Sequence, residues 1–146
     1  MLESELNNRL RKIKNYAGSF ARNELKGIEI KIFPFFMVIN LDKRESKGTH
    51  WIAVAIYQND IFICDSLGGI NPSQALPIEL IDFLDIIAHT RDLNMTLQLQ
   101  SIDSEICGEY CVLFIKQMSI YHSFCQFLLL FTTNKNQNDL LVSFLS

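Results

Sequence analysis

The chain has 146 residues, 49% of them hydrophobic and 20% charged, and a formal net charge of -3. That length and balance predict one domain spanning residues 1–146 with a sizeable core, and exclude a disordered chain. The mild acidity gives no electrostatic reason to expect a nucleic-acid partner; Arg9, Arg11, Lys12 and Lys14 cluster locally and read as a solvated helix face.

In chain order, Leu2, Leu6, Leu10 and Ile13 recur at helical spacing and predict an amphipathic helix over residues 2–16. The alternation of "IEIKIF" (28–33) predicts a short strand closed by Pro34, and "FFMVINL" (35–41) a more fully apolar strand followed by the charged loop "DKRESKGTH". "WIAVAIY", the polar "QND" and "IFICDS" then read as a β-hairpin. After the loop "LGGINPSQALP", Leu80, Phe83, Leu84, Ile87 and Ala88 give a one-sided helix. "LNMTLQLQ" (93–100) puts Leu93, Met95, Leu97 and Leu99 on one strand face and Asn94, Thr96, Gln98 and Gln100 on the other. Residues 107–119 are apolar almost all round, which predicts a central buried helix, and further helices are expected near 121–131 and 137–145. Strands between helices around one core give an α+β fold, with a mixed or antiparallel sheet packed against helices.

The start of the chain lacks the apolar core of a signal peptide, so the protein is expected inside a cell with its thiols free. The most apolar run, "FCQFLLLF", falls short of the roughly 20 residues of a membrane helix, and no membrane association is expected.

Cysteines stand at 64, 107, 111 and 125. Cys107 and Cys111 lack the C-x-x-C spacing of redox helices and zinc knuckles, so no metal or cofactor is expected. Position 107 begins the buried helix, where unpaired backbone N–H groups and the helix dipole favour a thiolate. Gly108 leaves the adjacent backbone uncrowded for a substrate carbonyl. The competing reading makes Cys107 a packing residue in a stripe with Cys111, Phe114, Ile115 and Met118.

A nucleophilic cysteine needs a base, and the chain offers His50, His89 and His122. His89 ends a helix and His122 sits in a turn between helices, both structural positions. His50, in "GTHW", stands at the mouth of a strand after a Gly-containing loop, where functional residues collect. Asp65 ends the paired strand of the hairpin and can approach His50 to orient its ring, although an Asp before "SLGG" is also an ordinary turn former. Gln100, seven residues before Cys107, can supply an oxyanion-hole donor beside the Cys107 amide, with Gln98 a less well spaced rival.

Together "GTHW", "ICDSLGG" and "LQLQSIDSEICGEYC" resemble the signature of the adenain-like cysteine proteases, the adenovirus maturation protease and its relatives, in a clan that includes the ubiquitin-like-protein (SUMO) proteases. The resemblance is specific over residues 48–70 and 98–114. It implies a papain-like/adenain-like fold with the nucleophile at the start of a buried helix, and a source in a virus, virophage or Polinton/Maverick-type mobile element. It implies Cys107 as nucleophile, His50 as general base and then acid, Asp65 as the residue orienting His50, and Gln100 with the Cys107 amide as oxyanion hole. Trp51, Gly48 and Gly108 are implied to line the substrate cleft.

The activity implied is a cysteine endopeptidase that cleaves viral or mobile-element precursor proteins at small-residue, Gly-Gly-like sites. A monomer is expected, in the cytoplasm or nucleus of the host or packaged in virions. Alternatives are a protease that removes ubiquitin-like modifiers and an inactive, protein-binding descendant of the fold. The adenovirus enzyme is basic and is activated by DNA and by a disulfide-linked peptide; this chain is acidic and has no cysteine in "LNMTLQLQ". An activating peptide, if used, is therefore not expected to be disulfide-linked, nor is strong nucleic-acid binding expected.

Overall fold

The computed structural model describes residues 1–44, 50–68 and 76–146. Helix α1 (Glu3–Leu10) precedes strand β1 (Tyr16–Ala21), a 3-10 turn (Arg22–Glu24), β2 (Phe35–Asn40), β3 (Trp51–Ile56) and β4 (Asp60–Cys64). Then come α2 (Ile78–Ile87), β5 (Asp92–Met95), α3 (Cys107–Tyr121), α4 (Phe124–Leu128) and α5 (Lys135–Leu145). The strands form one mixed sheet in the order β1-β2-β3-β4-β5. Its centre, β2-β3-β4, is antiparallel, and the outer strands β1 and β5 each run parallel to their neighbour.

Both faces of the sheet are covered, which is why the central strands read as continuous apolar runs. Phe36, Val38, Ala53, Ala55 and Cys64 point into a core shared with α1, α3, α4 and α5. The alternate residues Met37, Ile39, Ile52, Val54, Ile56, Ile61 and Ile63 pack with Leu25 and with Leu80, Phe83, Leu84 and Ile87 of α2 on the other face. Helix α3 lies against β3, whose side chains on that face are the small Ala53 and Ala55. Phe114, Ile115 and Met118 of α3 are completely buried, each contributing about 1.5–3 kcal/mol of apolar burial.

Three elements depart from the sequence expectations. The first helix stops at Leu10 rather than 16; Asn15 takes a left-handed conformation (φ 67°) and the chain turns directly into β1. Residues 28–33 are not a strand. The position beside β2 that "IEIKIF" would need is occupied by β1, a segment whose "YAGSFA" carries no clean alternation and contains a register irregularity between Tyr16 and Ser19. In "LNMTLQLQ" the strand ends at Met95, and three residues of the expected apolar face, Leu93, Met95 and Leu97, are turned outward, with Leu97 81% exposed, whereas Leu99 of that face is buried and so are Thr96 and Gln100.

Candidate active site

The hairpin brings His50 and Asp65 together. β3 and β4 are antiparallel with Ala53 opposite Cys64, so the residue entering β3 lies beside the residue leaving β4. His50 Nε2 and Asp65 Oδ1 are 2.8 Å apart, and both side chains are buried. The same Oδ1 accepts the Leu67 N–H at 3.1 Å, and the Asp65 backbone is gripped from both sides by Thr96: its N–H donates to Thr96 Oγ1 (3.0 Å), whose hydroxyl donates to the Asp65 carbonyl (2.8 Å). With Nε2 turned to Asp65, the imidazole's Nδ1 is left for another partner.

Cys107 supplies that partner at the first residue of α3, only 7% exposed. Ile106, in the capping position, makes no side-chain cap, so the opening N–H groups of α3 have no intrahelical or capping acceptor from it. The Trp51 backbone N–H donates to Cys107 Sγ at 3.4 Å, a second stabilising dipole from the residue after His50. Burial by itself lowers the His50 pKa, but hydrogen bonds to Asp65 and Cys107, with their charges, outweigh it and raise the imidazole from 6.5 to about 9. A protonated His50 between Asp65 and Cys107 is therefore the form favoured at neutral pH.

Gln100 is buried and its amide is held at both ends. Ser66 Oγ donates to Gln100 Oε1 at 2.6 Å, and Gln100 Nε2 donates to the Ser104 carbonyl at 2.7 Å. The rival Gln98 donates to the Gln100 carbonyl at 3.0 Å and so braces the same segment. The backbone on either side is pinned by α5 and α3: Asn138 Nδ2 and Tyr110 Oη donate to the Leu99 carbonyl, and the Ser101 N–H donates to Asp139. Close approach also holds the other side of this segment, since a Cβ on Gly68 (φ +66°) would lie 2.3 Å from the Gln98 nitrogen.

The remaining expectations divide. Trp51 is half-buried, with its backbone N–H on Cys107 and its side chain packed on the core that includes α3. Gly48 lies outside the described residues. Gly108 does not face an open cleft: a Cβ there would lie 2.9 Å from Met1 Cβ, because α1 packs on α3 and brings Met1 over this position. Cys64 and Cys111 are fully buried, and burial drives both thiols well above the ordinary range, so they are inert packing residues. His89 is exposed on the surface, and His122 caps α3 in a left-handed conformation with Nδ1 2.9 Å from the Tyr57 hydroxyl.

Arg9, Lys12 and Lys14 line, with Lys116 and His122, a cavity of about 670 Å³. It lies at the C-terminal end of α3, the opposite end from Cys107. Among the described residues no three His, Cys, Asp or Glu side chains cluster to hold a metal ion, and no helix is long and apolar enough to cross a membrane. Sequence reasoning did not single out Ser66, Thr96, Tyr110, Asn138 or Asp139. The first two had a usable signal, polar residues inside strand-like runs; the others act from distant elements.

No protein-family model matches the sequence, and no curated protein matches it at a significant level. Comparison with solved structures does find the fold. The chain superposes on the crystal structure of an ASFV protease with a TM-score of 0.58 at 15% identity, over 96% of this chain and 64% of that one. The chain thus spans less than two thirds of that protease's length. It also superposes on the SUMO protease Ulp1, in a form with its catalytic cysteine oxidised to a sulfenic acid, with a TM-score of 0.50 at 15% identity, over 99% of this chain and 72% of that one. The chain has the fold of these proteases.

Proposed function

We propose that the protein is a cysteine endopeptidase that cleaves precursor polypeptides of a virus or mobile element after small residues, Gly-Gly-like sequences foremost. The observation that carries this reading is the convergence of three side chains from separate elements, Cys107 at the start of α3, His50 before β3 and Asp65 after β4, with Gln100 after β5 tied to Ser66, the residue next to Asp65. Fold likeness to an ASFV protease supports the viral setting. The small-residue preference is supported by the burial of Cys107, since a thiol 7% exposed is reached most readily by a backbone without bulky side chains at the scissile bond.

The chemistry follows from the geometry. With the proton already on His50 at neutral pH, Cys107 attacks the scissile carbonyl carbon as the thiolate of the pair. Negative charge develops on the carbonyl oxygen, beside the Cys107 N–H and the Gln100 amide. The tetrahedral adduct collapses as the protonated His50 gives its proton to the leaving amine, forming a thioester. His50, neutral again and still held by Asp65, takes a proton from water, which hydrolyses the thioester and returns the thiolate beside a protonated His50.

Digestion of a mixture of candidate precursors, read by mass spectrometry, tests this. Wild type should generate new termini ending in small residues, and Cys107→Ala should generate none. Identical fragments from both proteins would refute the assignment. Cleavage confined to the C-terminal tail of a folded ubiquitin-like modifier, with the precursors left intact, would select the deconjugating alternative instead.

A further inference from the structure

Asp65 and Ser66 are adjacent in sequence, both 1% exposed, and they face opposite halves of the site. Asp65 Oδ1 holds the His50 ring, while Ser66 Oγ holds Gln100 Oε1 at 2.6 Å. Backbone bonds reinforce the second link, because the Ser66 carbonyl accepts from the N–H groups of both Leu99 (2.8 Å) and Gln100 (2.9 Å). One two-residue turn therefore registers the acid–base pair against the oxyanion side chain.

A primary amide has two N–H donors and one carbonyl oxygen. The Ser104 carbonyl occupies one donor of Gln100 at 2.7 Å. The second donor is the one available to a developing oxyanion, and its direction is set by the plane of the amide. A single hydrogen bond to Ser104 leaves that plane free to pivot; a second point, at Oε1, removes the freedom. Loss of the second point also strands a buried oxygen without a donor, which favours rotation of the amide away from its working orientation.

We propose that Ser66 is a positioning residue for the reaction, whose hydroxyl locks the Gln100 amide so that its free N–H faces the oxyanion. This rests on the peptidase reading above. Removing an oxyanion donor outright costs about 10²–10³ in kcat. Ser66→Ala, which leaves the donor present but unlocked, should cost about tenfold in kcat with KM little changed, because the contact matters only as charge develops.

A double-mutant cycle with a Gly-Gly-containing peptide separates positioning from a general structural role. Ser66→Ala should lower kcat in the wild-type background and cost nothing further in Gln100→Ala. Alkylation of Cys107 by iodoacetamide, which passes through no oxyanion, should proceed at the wild-type rate in Ser66→Ala and so verify the fold. In parallel, the side-chain amide protons of Gln100, followed by ¹⁵N-edited NMR, should shift and lose their protection from solvent exchange in Ser66→Ala. An unchanged kcat, an equal loss in the Gln100→Ala background, or unaltered Gln100 amide protons would each overturn the proposal. If the wild type cleaves no peptide, the peptidase reading fails, and the NMR comparison still decides whether the lock exists.

Discussion

Cys107 and Cys111 lie one turn apart on α3, both buried, and their surroundings are opposite. Around Cys107 the helix has just begun, the Trp51 N–H points at the sulfur, and His50 stands between it and Asp65. Cys111 sits deeper in the helix, in the core cluster that also holds Leu6, Phe36 and Phe114, with burial the largest influence on its thiol and no ring or N–H turned to it among the described hydrogen bonds. The comparison teaches that the residue type decides little by itself: four residues along a helix separate a thiol set beside an imidazole and a backbone N–H from one that fills space.

Exchanging residues in the two turns should therefore have unequal results. Cys107→Ala is expected to lower kcat by on the order of 10⁴-fold or more, measured on a cleavable peptide, with thermal stability preserved. Asp65→Asn leaves His50 and Cys107 in place but alters the partner that orients the ring, and should lower kcat by up to about 10⁴-fold while leaving measurable activity.

Smaller effects sharpen the contrast. The folded His50 titrates near 9 against an ordinary 6.5, so its proton adds stability that is complete below about 6.5 and is lost as pH rises through about 9. Activity that needs His50 as the acid for the leaving amine should fall over the same alkaline range. NMR titration of the imidazole checks both, and in Cys107→Ala the midpoint should move down because one stabilising partner is gone. Cys111→Ala, by comparison, should leave kcat within about twofold and cost about 1 kcal/mol of stability in a denaturant melt, the scale of one buried methyl-sized group.

The part of the molecule most legible in sequence was the part where periodicity and site chemistry agree. "WIAVAIY" and "IFICDS" read as the hairpin they are, and that hairpin alone places His50 beside Asp65. The apolar run after Cys107 likewise announced the buried helix α3. "LNMTLQLQ" misled for a physical reason: its polar side is buried because Thr96 and Gln100 serve the turn at Asp65 and Ser66, which leaves Leu93, Met95 and Leu97 on the outside. A local rule broken next to a candidate site is itself a signal of function. The strand β1 was not legible, since "YAGSFA" contains a glycine at φ +119° and a slipped register in place of alternation. Nor does any local pattern in "NQNDLLVSF" say that Asn138 and Asp139 reach back to pin Leu99 and Ser101.

The central claim, that Cys107 alone among the cysteines is the nucleophile, is tested most directly by trapping it. A short peptide ending in Gly-Gly and carrying a vinyl sulfone in place of the scissile carbonyl would be incubated with the protein at neutral pH, and the adduct located by peptide mapping. Cys125 is exposed and serves as an internal control for an ordinary thiol. One label per chain, on Cys107, lost in His50→Ala and leaving Cys125 unmodified, is the predicted result. Labelling of Cys125 in preference to Cys107, or labelling of Cys107 that persists unchanged in His50→Ala, would contradict it.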